Sequence, residues 1–218
     1  DQKVDNPLNL WILPWLPYIN DDSMLGSLLD DVRRHLKKTL SFLSKTVSDD
    51  VRFVRSCLCT LFPWKRLFDE AVMFQMTSNT ISPRFARSLA QMKICIDPAA
   101  QNWEQLHILF ECYEKGVMCT DDFVALIDGE VLPAWARTLH VALQPGGHGM
   151  KDVKKFYLAW RDQMFDPSRI SESGQSAQLT LRLDALVCRY FYGGLIMIQA
   201  AVESKKTLLE SLRPPSPT

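Results

Sequence analysis

The chain has no charge excess of either sign: its 218 residues hold 25 Lys and Arg against 25 Asp and Glu. Without a global field to gather nucleic acid or a membrane surface, any such contact has to come from a local patch. Glycine is also scarce, with nine in all, and none of them builds a phosphate cradle. Gly146-Gly147-His148-Gly149 follows a helical pattern and lacks the downstream Lys-Ser/Thr of such a loop, so it reads as a plain connection. Gly-x-Ser-x-Gly is missing, which withholds the usual local mark of a nucleophilic serine. Glu104-x-x-His107 has the spacing of half a di-iron ligand set, but no second copy stands on another helix. Cys57-x-Cys59 on a helix aims its sulfurs at different faces and has no second close pair, which argues against zinc. These gaps predict a non-enzyme with no catalytic residue, no metal and no cofactor.

No apolar run reaches the length of a bilayer span. The longest, 190–202, is flanked by Arg189 and interrupted by Gly193-Gly194, so a buried helix and no membrane partner are expected. Six cysteines, Cys57, Cys59, Cys95, Cys112, Cys119 and Cys188, lie in apolar, helical surroundings, which favours reduced core thiols and an intracellular setting. The N-terminus lacks the order of a signal peptide, and its first residue, Asp1, suggests a fragment of a longer protein.

What the chain does have is helical periodicity. Asp21-Asp22-Ser23 offers an N-cap, and Leu25, Leu29, Val32, Leu36, Leu40 and Leu43 recur at helical spacing. Further helices are predicted from about Ser48, over 65–75, from Ser82-Pro83, around Trp103 to Tyr113, from Thr120 through a bend at Pro133, over 150–165, and over 177–209. No segment alternates like a strand. The fold class is therefore all-α, a bundle-like or superhelical stack of helices.

Ahead of it, Leu10-Trp11-Ile12-Leu13-Pro14-Trp15-Leu16-Pro17-Tyr18-Ile19 carries two indoles and two prolines in ten residues. Each proline removes a donor and disfavours helix at the residue before it, so residues 1–20 are expected to form an extended strap. The expected organisation is that strap, one all-α interaction domain over 21–209, and a disordered tail over 210–218, after a polar connector at 167–175.

Arg33-Arg34-His35-Leu36-Lys37-Lys38 is the densest basic run. Arg33, Arg34, Lys37 and Lys38 offer a local contact for RNA phosphates or an acidic partner, and this supports an alternative reading as a nucleic-acid-binding or transcription-associated helical module. The plainer reading is a wet helix face, since Val32, Leu36 and Leu40 continue the apolar one. Core packing is likewise the first expectation for Trp64, Trp103, Trp135 and Trp160.

Four aromatic landmarks occur in order: Leu10-Trp11-Ile12-Leu13-Pro14-Trp15-Leu16-Pro17; Pro63-Trp64-Lys65-Arg66-Leu67-Phe68; Val131-Leu132-Pro133-Ala134-Trp135 with Leu139; and Phe156-Tyr157-Leu158-Ala159-Trp160-Arg161 with Phe165. Together they resemble the GC-rich-sequence DNA-binding-factor-like domain, and within it the tuftelin-interacting-protein family of spliceosome disassembly factors, over about residues 8–166. The chain departs in having Phe156-Tyr157 where the family favours Trp-Tyr, and Leu132 where it favours an aromatic before the proline.

The resemblance implies a nuclear, non-enzymatic scaffold for pre-mRNA splicing. Its partners would be spliceosomal and disassembly-factor proteins, and a glycine-rich G-patch segment, absent from this sequence, would recruit and activate a DEAH-box RNA helicase. The interaction residues it implies are Trp11, Pro14, Trp15, Pro17, Pro63, Trp64, Lys65, Phe68, Pro133, Trp135, Tyr157 and Trp160.

Overall fold

A computed structural model describes residues 8–164 and 176–211, and helices account for most of them. Among these residues there is no strand, as the all-α reading requires. The chain begins with α1 (Leu8–Ile12) and a 3-10 helix (Leu13–Tyr18), followed by α2 (Asp22–Thr46), α3 (Asp50–Leu61), α4 (Glu70–Thr77) and α5 (Ser82–Ala90). It continues with α6 (Glu104–Glu114), α7 (Thr120–Leu126), a π turn (Ile127–Val131), α8 (Leu132–Leu143), α9 (Met150–Met164) and α10 (Ser176–Ser211). The connector expected over 167–175 lies outside the described residues, and of the tail expected over 210–218 the first two residues close α10 while the rest lies outside them.

Aspartates start three of the helices. Asp21 accepts from the backbone N–H groups of Ser23 and Met24 at 2.8 and 3.2 Å, Asp49 from Arg52 at 2.7 Å and Asp69 from Val72 at 2.7 Å. Each bond satisfies a donor that the first helical turn leaves open. Asp69 also corrects the helix expected over 65–75: residues 65–69 form a turn behind Phe62-Pro63-Trp64, and α4 starts at Glu70. Gly116 ends α6 at φ +64°, where its N–H and those of Val117 and Met118 close onto carbonyls of Tyr113 and Cys112.

The strap is a second correction. Residues 8–18 are not extended but wind as α1 and the 3-10 helix. Pro14 occupies the first turn of that helix, where a missing N–H costs nothing, and the proline φ of about −65° is already the 3-10 value.

The described residues gather into two compact units rather than one: those within Asp1–Leu89 and Glu104–Phe123, and those within Ala90–Trp103 and Val124–Thr218. In the first, Val32, Leu36 and Leu40 of α2 are buried together with Phe53, Leu61, Phe85 and Leu106. Arg84 ties its helix ends together. Its guanidinium donates to Asp50 at 2.6 Å and to the carbonyls of Ser44, Val47 and Ser48 at 2.8–3.2 Å, and lies 4.1 Å above the Phe53 ring. The Ser44 and Val47 carbonyls are among the acceptors that the end of α2 cannot pair within the helix, and Ser48 follows directly after it.

In the second unit, Trp135 of α8 is fully buried, with ring centroids of Phe191, Tyr157 and Phe156 at 4.5, 6.0 and 6.2 Å. A Cβ at Gly194 of α10 would sit 2.7 Å from the indole and 3.1 Å from Leu139, so the absence of a side chain is what lets α10 approach α8. Pro133 explains the wide turn before α8, because its ring cannot donate to, and would collide with, the carbonyl four residues earlier.

The six thiols do not share one environment. Cys57 and Cys112 are buried, Cys95 and Cys119 partly so, and Cys59 and Cys188 are exposed, which corrects the expectation of core thiols throughout. Burial pushes both Cys57 and Cys112 up to about 12, with Arg84 pulling back on Cys57, and Glu111 and Cys57 adding to the rise at Cys112 against Lys115. At pH 8 iodoacetamide is expected to modify Cys59 and Cys188 and to spare Cys57 and Cys112, whose thiolate fraction is only about one in ten thousand at that pKa. The native state keeps protons that the unfolded chain releases, so the stability these thiols contribute is full below the ordinary thiol range and drains as pH rises toward 12. Peptide mapping after alkylation, and urea midpoints at pH 8 and 10.5, check both statements.

Candidate interaction surfaces

Three surfaces stand out, and the sequence named two of them. The first is the N-terminal ridge. Within α1 and the 3-10 helix, Ile12, Leu13, Leu16 and Ile19 are half-buried, while Trp11, Trp15 and Tyr18 are 60%, 65% and 76% exposed. Pro14 and Pro17 are exposed beside them, and the Trp15 and Tyr18 rings meet edge to face at 6.3 Å. Proline at the two turns holds these rings outward on a stiffened backbone, which lowers the entropy lost when a partner covers them. Exposed indoles on a rigid support have the chemistry of an interface hot spot.

The other landmark aromatics point inward. Trp64, Trp135 and Trp160 are at most 1% exposed; Phe68 is half-buried with its ring 6.5 Å from Trp64, and Trp103 packs at 4.9 Å on Trp160. Tyr157 donates its hydroxyl to the Phe191 carbonyl at 3.1 Å. Pro63 and Pro133 are half-buried where one helix passes into the next, and Lys65 lies over Gly116. These residues shape corners from inside; of the twelve, the N-terminal four and Lys65 face solvent.

The basic run divides. Arg33 donates to Gln75, and Arg34 pairs with Asp31 at 3.0 Å, while Lys37 and Lys38 are exposed. Lys37 faces a groove of about 770 Å³ in the first unit, together with Lys45, Arg84 and Arg87. Nothing local in the sequence links residue 37 to residue 87; only the packing of α5 beside the end of α2 brings them together.

The third surface was missed. The stretch expected to be buried, 190–202, is buried along one face only: Phe191 and Gly194 pack inward, while Tyr192, Leu195, Ile196 and Val202 are exposed. By length and composition alone Asp184–Ser204 is the one described helix that meets the requirement for crossing a membrane, and 17% of it is buried. The inner face sits on Trp135 and Leu139, so α10 is a packed helix with an uncovered apolar side. The signal was available: Tyr192 and Ile196 fall on the side of the helix opposite Val187, Phe191 and Gly194.

Among the described residues no three His, Cys, Asp or Glu side chains gather as a metal site, and Glu104 takes an ion pair from Arg55 at 3.0 Å.

An all-α protein with indoles exposed near its N-terminus and buried further along is the class that these observations define. Residues 1–139 match the family described as GC-rich sequence DNA-binding factor-like protein, and the chain belongs to that family. Among individual relatives it is similar to Tuftelin-interacting protein 11 of Xenopus laevis, 25% identical over 160 residues, and to the same-named proteins of Xenopus tropicalis and Sus scrofa, each 24% identical over 160 residues. Each alignment covers 73% of this chain, which spans 18% of the relatives' length.

Proposed function

We propose that this chain is a nuclear, non-enzymatic protein-interaction module of a pre-mRNA splicing factor, serving the disassembly of the intron-lariat spliceosome. In this reading it anchors spliceosomal and disassembly proteins, while a DEAH-box RNA helicase is recruited and activated by a segment other than these 218 residues. The observation that carries the reading is that the family match, 1–139, includes the exposed ridge of Trp11, Trp15 and Tyr18. Two uncovered indoles are costly to leave in water unless a partner removes them, since each buries roughly 150–250 Å² when docked.

Immobilised intact chain is expected to retain spliceosomal proteins from nuclear extract, identified by mass spectrometry. The double variant Trp11→Ala, Trp15→Ala is expected to reduce that retention at least about tenfold, the loss of two hot-spot side chains, with helical content unchanged. Folded chain that retains no splicing protein, or retention indifferent to the two indoles, overturns the proposal.

A further inference from the structure

We propose that the groove between the C-terminal half of α2 and the α4–α5 segment of the first unit binds a phosphorylated serine or threonine in an extended peptide. Its lining contains four cations, Lys37, Lys45, Arg84 and Arg87, and no acidic residue. Arg84 is already committed to Asp50 and to the carbonyls that end α2. That commitment matters for the rest of the site, because it covers the acceptors that would otherwise make this helix end negative. Asp49 is likewise occupied, capping α3. Besides Arg84, the lining contains the cationic side chains of Lys37, Lys45 and Arg87 and the hydroxyl-bearing Ser41, Ser44, Ser48 and Thr80. Among the described residues Lys37, Lys45 and Arg87 have no ion-pair partner.

A phosphoryl group carries close to two negative charges and three acceptor oxygens, which is the complement of such a set. The lining decides between a phosphopeptide and single-stranded nucleic acid. It has no aromatic ring on which a base can stack, the platform that single-strand binders use. It does offer Leu40, Val47, Met76 and Pro83, apolar ground for the side chains flanking a phosphoresidue. The proposal rests on the interaction-module reading for the origin of its ligand, and on the groove alone for its chemistry.

The test passes a degenerate peptide library with a fixed central phosphoserine, its unphosphorylated twin, and labelled twelve-residue oligouridine over immobilised intact chain. The phosphorylated library is expected to be retained at least tenfold over its twin and over oligouridine. Lys45→Glu with Arg87→Glu should abolish the preference, whereas Arg34→Glu with Lys38→Glu, outside the groove, should leave it. The milder pair Lys45→Gln, Arg87→Gln substitutes if the reversal disturbs folding, and should reduce the preference at least threefold. Equal retention of the twin, stronger retention of oligouridine, or insensitivity to Lys45 and Arg87 overturns the proposal. If splicing proteins are still captured by a chain that shows no phosphopeptide preference, the groove has failed and the module stands; if phosphopeptides bind and no splicing protein does, the reverse holds.

Discussion

Trp135→Ala will lower the unfolding free energy by about 3–5 kcal/mol, the cost of removing a fully buried aromatic side chain from a core that cannot collapse around the void. Collapse is blocked on several sides. Phe191 and Phe156 stack on the indole at 4.5 and 6.2 Å, and Gly194 brings the α10 backbone against it. Trp135→Phe keeps a ring in the stack and gives up an indole N–H that has no hydrogen-bond partner among the described residues. It should cost about 1–2 kcal/mol, in the ordinary range for a core substitution that keeps its chemistry. Urea titrations of the two variants check the ordering; equal costs would show that a phenyl ring recovers none of the packing that the indole makes.

Arg84→Met will be as damaging for a different reason. It removes a cation from a pair whose side chains are 11% and 15% exposed, leaving the Asp50 carboxylate and the carbonyls of Ser44, Val47 and Ser48 without their donor. Breaking a buried pair from one side costs about 3–5 kcal/mol, because the partner left behind stays desolvated. Arg34→Ala, which dissolves the exposed pair with Asp31, should cost under about 0.5 kcal/mol. The double variant Asp50→Ala, Arg84→Met should lose less than the two singles summed, since the second substitution removes the stranded charge. Additive losses would mean that the pair contributes no mutual stabilisation.

Local grammar was legible in this sequence, and convergence was not. Asp21 marks a helix start by what its own carboxylate does for the nearest backbone groups, so a reading of neighbours finds it. The extended strap does not form because Pro14 opens a 3-10 turn whose φ it already has, so proline here starts a helix instead of interrupting one. Arg84 could not be found: it stands one residue after Pro83 on a short helix, and its importance comes from Asp50 and three carbonyls 34 to 40 residues away. The groove has the same origin, since Lys37, Lys45 and Arg87 share a wall only after α2 and α5 are packed. The uncovered side of α10 was hidden by composition, which reports how apolar a helix is and not how much of its girth a single neighbour can cover.

The widened turn at Ile127–Val131 settles a mismatch of period. Ile127, Val131, Trp135, Leu139 and Leu143 are buried at strict four-residue intervals. On a helix of 3.6 residues per turn, each such interval overshoots a full revolution by about 40°, so an unbroken α-helix would carry the later members progressively off the shared azimuth. A π turn holds more residues per revolution and takes up that excess over the first interval, Ile127 to Val131, before α8 begins. The bearing of Trp135 is thus a phase inherited from upstream, set where Pro133 forces the wider turn.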